Sequence, residues 1–210
     1  MAMIRAPRHL NPLVMLGIAV SERVTKRRME PARLLAWYPR AALGAGVLEA
    51  LVAHREPSTR LLKLVRVTAA LTASCPFCVD MNSFEAAAAG VTDTELRALQ
   101  HGTEDELTTL TPRDRAAVAY ARAISSTPLV FDDGLRAELN RLFTEREVVI
   151  IATTAAQVNY WARTIQALGI DPAGFFDAKR RREEVWLLDQ FPDYANYRER
   201  VRRQFIPFVW

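Results

Sequence analysis

Helix start and stop signals recur along this chain, and they constrain its fold more than any other feature. Thr92 with Glu95 and Thr144 with Glu147 form capping boxes, in which each side chain accepts the other residue's backbone N–H. Proline follows Glu30 and Thr111, at first-turn positions where its missing N–H is tolerated. No Asn-Gly or Asp-Gly turn joins two alternating runs, so hairpins are not indicated. The sequence therefore predicts an all-α fold.

These signals predict the individual helices. One segment is expected from Glu30 to about His54, and a largely buried helix follows Pro57. The helix that begins at the cysteines should end at Gly90, a natural left-handed cap. Shorter helices follow Thr92 and Thr111, and a long one runs from Thr144 to Leu168 and stops at Gly169. An apolar stripe supports the long helix: Val148, Ile151, Ala155, Val158, Ala162 and Ile165.

Charge is distributed unevenly over the 210 residues. Residues 1–40 carry eight Lys/Arg and two Glu, residues 41–178 have a net charge of −5, and residues 179–210 have +3. Basic ends of this kind could contact nucleic acid or an anionic membrane surface. Glu183, Glu184 and Glu199 interrupt the C-terminal basic runs, which favours a solvated helix face or an oligomer contact. We therefore expect neither nucleic acid nor membrane as a partner.

The apolar segments are short. No run approaches the roughly 18 residues of a membrane helix. The run at residues 13–20 is near the lower limit for a signal peptide, so we expect a cytoplasmic protein. In a reducing compartment, a close cysteine pair is more often catalytic or metal-binding than a permanent disulfide.

The two cysteines of the chain lie in Cys75-Pro76-Phe77-Cys78, within one helical turn. Ser74 or Cys75 is the expected N-cap, with Pro76 in the first turn. Free backbone N–H groups and the helix dipole then favour a thiolate. A thiolate can attack a peroxide oxygen or a disulfide sulfur. The second cysteine closes an intramolecular disulfide, which an external reductant reopens.

Other interpretations of the pair were weighed. Zinc needs four ligands, and the three histidines show no ligand spacing, so neither a metal nor another cofactor is predicted. A thioredoxin-like protein requires a βαβ pattern, which is missing here. Inert packing as buried small apolar side chains remains an open alternative.

Several segments together resemble the alkylhydroperoxidase-D-like / carboxymuconolactone decarboxylase family. The most specific block is Ser74-Cys75-Pro76-Phe77-Cys78-Val79-Asp80-Met81-Asn82-Ser83. Further similar segments are residues 62–67, 88–91, 111–116, 143–147, 159–163 and 167–170. The resemblance covers roughly residues 30–175. It leaves residues 1–29 and 176–210 as N- and C-terminal helical extensions, the latter basic.

The resemblance implies an antioxidant, thiol-dependent peroxidase on an all-helical fold that assembles into trimers or hexamers. Cys75 and Cys78 carry over as the redox pair, acting on a hydroperoxide and regenerated by an external thiol reductant. Cys78 is then the attacking thiolate and Cys75 the resolving cysteine. Helix-end electrostatics alone favour Cys75 as the attacker, because it lies closer to the helix N-terminus.

This sequence departs from the family's pattern at the residues of the proton relay. Asn82 stands where family peroxidases have a histidine, Phe77 where they have a second one, and Lys63 where they have a glutamate. Asn82 can hydrogen-bond a thiol or a water but cannot transfer a proton as imidazole does. Glu85 is seven residues after Cys78 and is expected to share its face, in a relay or a structural role. Asp80 is expected at the surface.

Neighbouring residues leave further alternatives open. Lys63 or Arg66 could stabilise a thiolate if either faces the cysteines. Asn159 and Arg163 are one turn apart and could reach a shared pocket, although an interhelix contact is the more common role. The decarboxylase branch is a lyase that works without a redox pair, so the two cysteines favour the peroxidase. The rival from another class is a non-enzymatic helical oligomer of the same fold.

Overall fold

A computed structural model describes residues 2–84, 86–101 and 109–172 of the chain. These ranges contain no β-strand, which confirms the all-α prediction. The predicted N-terminal extension is helical, and the C-terminal extension at 176–210 lies outside the described residues. The α-helices of the described ranges are α1 (Pro12–Thr25), α2 (Glu30–Leu35), α3 (Pro39–Leu51), α4 (Thr59–Thr72), α5 (Pro76–Ser83), α6 (Asp93–His101), α7 (Pro112–Ser125), α8 (Asp133–Leu142) and α9 (Glu145–Ala167).

The predicted caps form as hydrogen bonds. The Thr144 hydroxyl accepts the N–H of Glu147 at 3.3 Å, and the Glu147 carboxylate accepts the N–H of Thr144 at 2.8 Å. Equivalent reciprocal bonds open α6 at Thr92 and α7 at Thr111. After α9, Gly169 has a φ of +61° and the N–H of Ile170 returns to the carbonyl of Ile165. The boundaries of the long helix are thus set locally, as the sequence predicted.

Two predicted helices are wrong in extent. The segment from residue 30 to 54 is divided into α2 and α3, because a residue before proline avoids helical geometry and Tyr38 precedes Pro39. The cysteine helix ends at Ser83 instead of Gly90. Phe84 is extended, with φ −61° and ψ +136°, and a single 3₁₀ turn (Ala87–Ala89) precedes Gly90. Asn82 and Ser83, whose side chains compete for helical hydrogen bonds, precede this end.

One helix was not predicted from the sequence. Asp132 caps α8 by accepting the N–H of Leu135 at 2.7 Å. The signal was nevertheless present, because an acidic cap precedes Leu135 and Leu139 at helical spacing.

Helix α4 lies at the centre of the main core and packs against α5, α7 and α9. Its contacts with α7 and α9 are lined by alanines that are fully buried: Ala69, Ala70, Ala117, Ala121, Ala155 and Ala162. Short side chains allow helix axes to approach closely. Because α5 packs between α4 and α9, its first turn enters this core.

An ion pair between the partly exposed Arg60 and the buried Glu95 joins α4 to α6. Arg60 Nη2 lies 2.6 Å from Glu95 Oε1, and the Glu95 side chain is 4% exposed. The Arg60 hydrogen bond and those from Thr92 lower the pKa of Glu95 to about 2, against the opposing effect of burial. Asp114, in the first turn of α7, lies 3.6 Å from the same guanidinium. Arg60 therefore holds three helices around one charged centre.

Within the described residues, no helix combines the length and the apolar character that a membrane-crossing segment needs.

Candidate active site

The end of α4 fixes the position of Cys75. Ser74 adopts a φ of +50°, the left-handed conformation that usually selects glycine. The N–H of Ser74 donates to the carbonyl of Leu71 at 3.0 Å, and the N–H of Cys75 donates to that of Ala70 at 3.2 Å. These two bonds form a Schellman motif. The turn that ends α4 therefore also places the first cysteine.

Cys75 is the N-cap of α5, and Pro76 occupies the first helical position. This agrees with one of the two N-caps that the sequence allowed. The sulfur of Cys75 accepts the backbone N–H of Cys78 at 3.3 Å. The two cysteines form a disulfide, with their Cα atoms 5.2 Å apart. The spacing thus gives the intramolecular bond that a dithiol mechanism requires.

Both cysteines belong to the main core. Cys75 is 0% and Cys78 1% exposed, and Phe77 between them is also buried. Ser74 and Pro76, on either side of Cys75, are exposed. The disulfide thus lies immediately beneath a surface turn.

Three further residues near the cysteines were considered from the sequence: Asn82, Glu85 and Asp80. Asn82 is buried, and its Nδ2 donates to the backbone carbonyl of Cys78 at 2.8 Å. Glu85 lies outside the described residues. Because α5 ends at Ser83, the continuous helix that would place Glu85 on the face of Cys78 does not form. Asp80 is only 8% exposed, so the expectation that it serves surface solubility is wrong.

The two candidate cations on α4 hydrogen-bond elsewhere. Lys63 Nζ donates to the carbonyl of Phe84 at 2.9 Å, at the far end of α5. Arg66 donates to the Gln157 side chain at 3.1 Å and to the carbonyl of Val52 at 3.4 Å. Burial lowers the pKa of Arg66, and the Glu49 carboxylate opposes that shift.

The contact between Arg66 and Gln157 was not anticipated. Gln157 is 3% exposed, and its Nε2 has no hydrogen-bond partner among the described residues. The only sequence signal was a glutamine directly beside the apolar stripe of α9. Its partner is 91 positions away along the chain, so the pair is set by the packing of α4 on α9.

Asn159 and Arg163 do not converge on a pocket. Asn159 Nδ2 donates to Ser125 Oγ and to the carbonyl of Ala155, both at 2.9 Å. Arg163 is exposed. Asn159 therefore makes the interhelix contact, between α7 and α9, that was the more common alternative.

Among the described residues, no three or more His, Cys, Asp or Glu side chains come together in a group able to hold a metal ion.

Solved structures with the same arrangement of helices are known. An uncharacterized peroxidase-related protein from Ralstonia eutropha JMP134, with an alkylhydroperoxidase AhpD core, superposes with a TM-score of 0.72 at 15% identity, over 83% of this chain and 94% of that one. An uncharacterized peroxidase-related protein from Silicibacter sp. TM1040 gives a TM-score of 0.69 at 12% identity, over 81% and 91%. The chain has the AhpD-like fold. The fold implied by the sequence resemblance is thereby confirmed.

A third structural neighbour is a debrominase. A cysteine-to-alanine variant of Bmp8, in complex with 2,3,4-tribromopyrrole, gives a TM-score of 0.71 at 20% identity, over 87% of this chain and 99% of that chain. Neither a protein-family model nor a curated protein matches the sequence significantly. At these identities the similarities establish the fold, and the chemistry has to be argued from the site.

Proposed function

We propose that this protein is a thiol-dependent peroxidase that reduces a hydroperoxide with Cys75 and Cys78. The observation that carries the proposal is the disulfide between them at the N-terminus of α5. The AhpD-like fold and its peroxidase-related neighbours support the same reaction class. As the resemblance implies, we also propose a trimeric or hexameric assembly and a thiol reductant in the cytoplasm.

The proposed reaction has three steps. The Cys78 thiol ionises, and its thiolate attacks a peroxide oxygen. An S–O bond forms, the O–O bond breaks, and the leaving alkoxide takes up the proton that the thiol released, by way of solvent. The Cys75 thiol then displaces water from the sulfenic acid, which closes the disulfide. An external dithiol supplies two electrons and two protons to reopen it. The sum is one hydroperoxide and one dithiol converted to alcohol, water and disulfide.

The backbone of α5 supports negative charge on Cys75. The N–H of Cys78 points at its sulfur, so a thiolate released there during reduction gains a hydrogen bond. The same contact is compatible with the reverse order, in which Cys75 attacks. Trapping the sulfenic acid distinguishes the two orders.

The decisive experiment measures hydroperoxide consumption with excess dithiothreitol. We expect Cys75→Ser and Cys78→Ser each to lower turnover at least about 100-fold, while the exposed control Ser126→Ala keeps it. Dimedone, which reacts with sulfenic acids, should label Cys78 in the Cys75→Ser variant. If it labels only Cys75, in the Cys78→Ser variant, then Cys75 is the attacking cysteine and Cys78 the resolving one. Turnover that neither substitution changes rules out the cysteine mechanism. A wild type without turnover, whose reduced thiols alkylate slowly near neutral pH, supports the non-enzymatic alternative.

Reductive debromination is a second candidate reaction. The Bmp8 superposition includes slightly more of this chain than the two peroxidase-related structures do. In that reaction C–Br becomes C–H, bromide and a proton leave, and the two thiols are oxidised to the disulfide. Bromide release from 2,3,4-tribromopyrrole in the same assay, abolished by both cysteine variants, would favour it over peroxide reduction.

A further inference from the structure

The outer face of α1 is apolar and exposed. Its large side chains recur at intervals of three and four residues, so they form one stripe along the helix. The stripe consists of Leu13, Leu16, Val20 and Val24, which are 65%, 63%, 56% and 76% exposed. Gly17 lies beside them, and a Cβ added there would meet no atom within 4 Å.

The opposite face of α1 is already buried by this chain. Val14 and Ile18 are 4% and 5% exposed and pack with Ala36, against the partly buried Leu10, Ala32 and Ala42. Helix α1 is thus apolar on two opposite sides, whereas a surface helix normally has one apolar side. The stripe therefore presents apolar area for an outside partner.

Positive charge frames the stripe at both ends. Arg5 and Arg8 precede α1, and Arg23 and Lys26 lie at or just beyond its C-terminal turn, all exposed. The first 40 residues contain two acids, and both are ion-paired: Glu22 with Arg33 at 2.7 Å and Glu30 with Arg28 at 2.9 Å. The remaining arginines and Lys26 give the segment around the stripe an excess of positive charge.

This charge favours one occupant over another. A second copy docked through the same stripe would bring two basic segments together, which opposes association. An anionic bilayer offers hydrocarbon for the stripe and phosphate groups for the flanking arginines. Fourteen residues span about 21 Å, less than the roughly 30 Å hydrocarbon core, so α1 suits the plane of the interface.

We propose that the stripe of α1 docks this protein onto an anionic membrane surface. The proposal revises the expectation, drawn from the sequence, that the chain has no membrane partner. That expectation considered charge alone, while the exposure of the stripe is visible only in the folded chain. The proposal is independent of the proposed peroxidase activity.

The test is co-sedimentation of the full chain with vesicles of phosphatidylcholine containing 30% phosphatidylglycerol. We expect Leu16→Asp/Val20→Asp to lower the partition coefficient at least about tenfold. The matched control Leu129→Asp/Val149→Asp changes a leucine and a valine that are each 60% exposed outside α1, and it should bind as the wild type does. Binding should weaken with added salt and be lost on pure phosphatidylcholine.

Three results would overturn the proposal. The first is a wild type that stays in the supernatant. The second is equal binding by the stripe variant, which would assign the interaction to another basic segment such as residues 179–203. The third is a lower mass for the stripe variant in lipid-free analytical ultracentrifugation, which would show that a second copy covers the stripe. Circular dichroism of each variant confirms that it is folded.

Discussion

Cys75 is held by two helices at once. Its N–H completes the turn that ends α4, and its sulfur caps the start of α5. A serine at this position keeps the backbone bond and places a good N-cap oxygen where the sulfur was. The Cys75→Ser variant should therefore fold, so that a loss of its activity reports on the missing thiol.

Asn82 occupies the position at which the family resemblance implies a proton-transferring histidine. It lies one turn after Cys78 and donates to the carbonyl of that residue. An amide does not ionise near neutral pH and so cannot act as a general acid or base, whereas imidazole can. General acid–base catalysis contributes about 10²–10⁴-fold in enzymes where it operates.

We therefore predict that Asn82→His raises peroxide turnover at least about tenfold at pH 7. The rate should also acquire a limb near the imidazole pKa of roughly 6.5, because the new group transfers the proton. The measurement is a pH–rate profile with dithiothreitol as reductant. Asn82→Gln is the control, since it changes size without adding a titrating group. An equal gain in the glutamine variant would mean that shape, rather than proton transfer, limits the wild type.

Among the elements, α4, α6 and α7 are joined by Arg60. Glu95 accepts two hydrogen bonds from this guanidinium, at 2.6 and 3.1 Å, and one from the N–H of Thr92 at 2.8 Å. A buried carboxylate with these partners favours its charged form. Since its folded pKa is lowered to about 2, its stabilisation is fully present above the unfolded pKa of roughly 4.3. It is lost as the pH falls from there toward 2.

Glu95→Gln should lower the free energy of unfolding by about 2 kcal/mol at pH 7, because the partly exposed Arg60 then lacks its counter-charge and solvent screens part of that loss. Urea titrations at pH 7 and at pH 3 measure the effect. The difference in the free energy of unfolding between wild type and variant should be smaller at pH 3, where the wild-type protein has begun to lose the stabilisation. Glu138→Gln, which removes an exposed pair with Arg141, should cost less than about 1 kcal/mol. An equal difference in unfolding free energy at both pH values would contradict the explanation that the charge of Glu95 stabilises the fold.

For the molecule as a whole, close packing of small side chains around α4 determines how the helices meet. Ala117 of α7 is fully buried, while Ala119, two positions on, is exposed. Protein interiors are packed as densely as organic crystals, so added volume forces neighbouring helices apart. The same core contains the disulfide, which couples the geometry of the redox pair to helix packing.

Ala117→Leu should therefore destabilise the protein by about 1–3 kcal/mol. Ala119→Leu adds the same volume on the outer side of α7 and should change stability by less than about 0.5 kcal/mol. Thermal unfolding followed by circular dichroism compares the two variants. Equal melting temperatures would show that the α7 contact does not limit packing.

Local features of the sequence were sufficient to predict most helix boundaries. The caps at Thr111 and Thr144 and the stop at Gly169 involve atoms only a few residues apart, so a short segment contains the whole interaction. The break before Pro39 and the cap at Asp132 depend on equally local contacts and could also have been predicted from the sequence. The early end of α5 was not predictable in this way, because it depends on a competition between local hydrogen bonds and packing.

The helical character of the chain and the closeness of its two cysteines at a helix start follow from contacts along one or two turns, so both could be predicted from the sequence. The surroundings of the cysteines depend instead on how the helices pack. Burial of the disulfide, burial of Asp80, the pairing of Arg66 with Gln157 and the exposure of the α1 stripe all depend on which helix faces which. Those arrangements are set by the volumes and charges of side chains that lie tens of residues apart in the sequence, so short sequence patterns do not predict them.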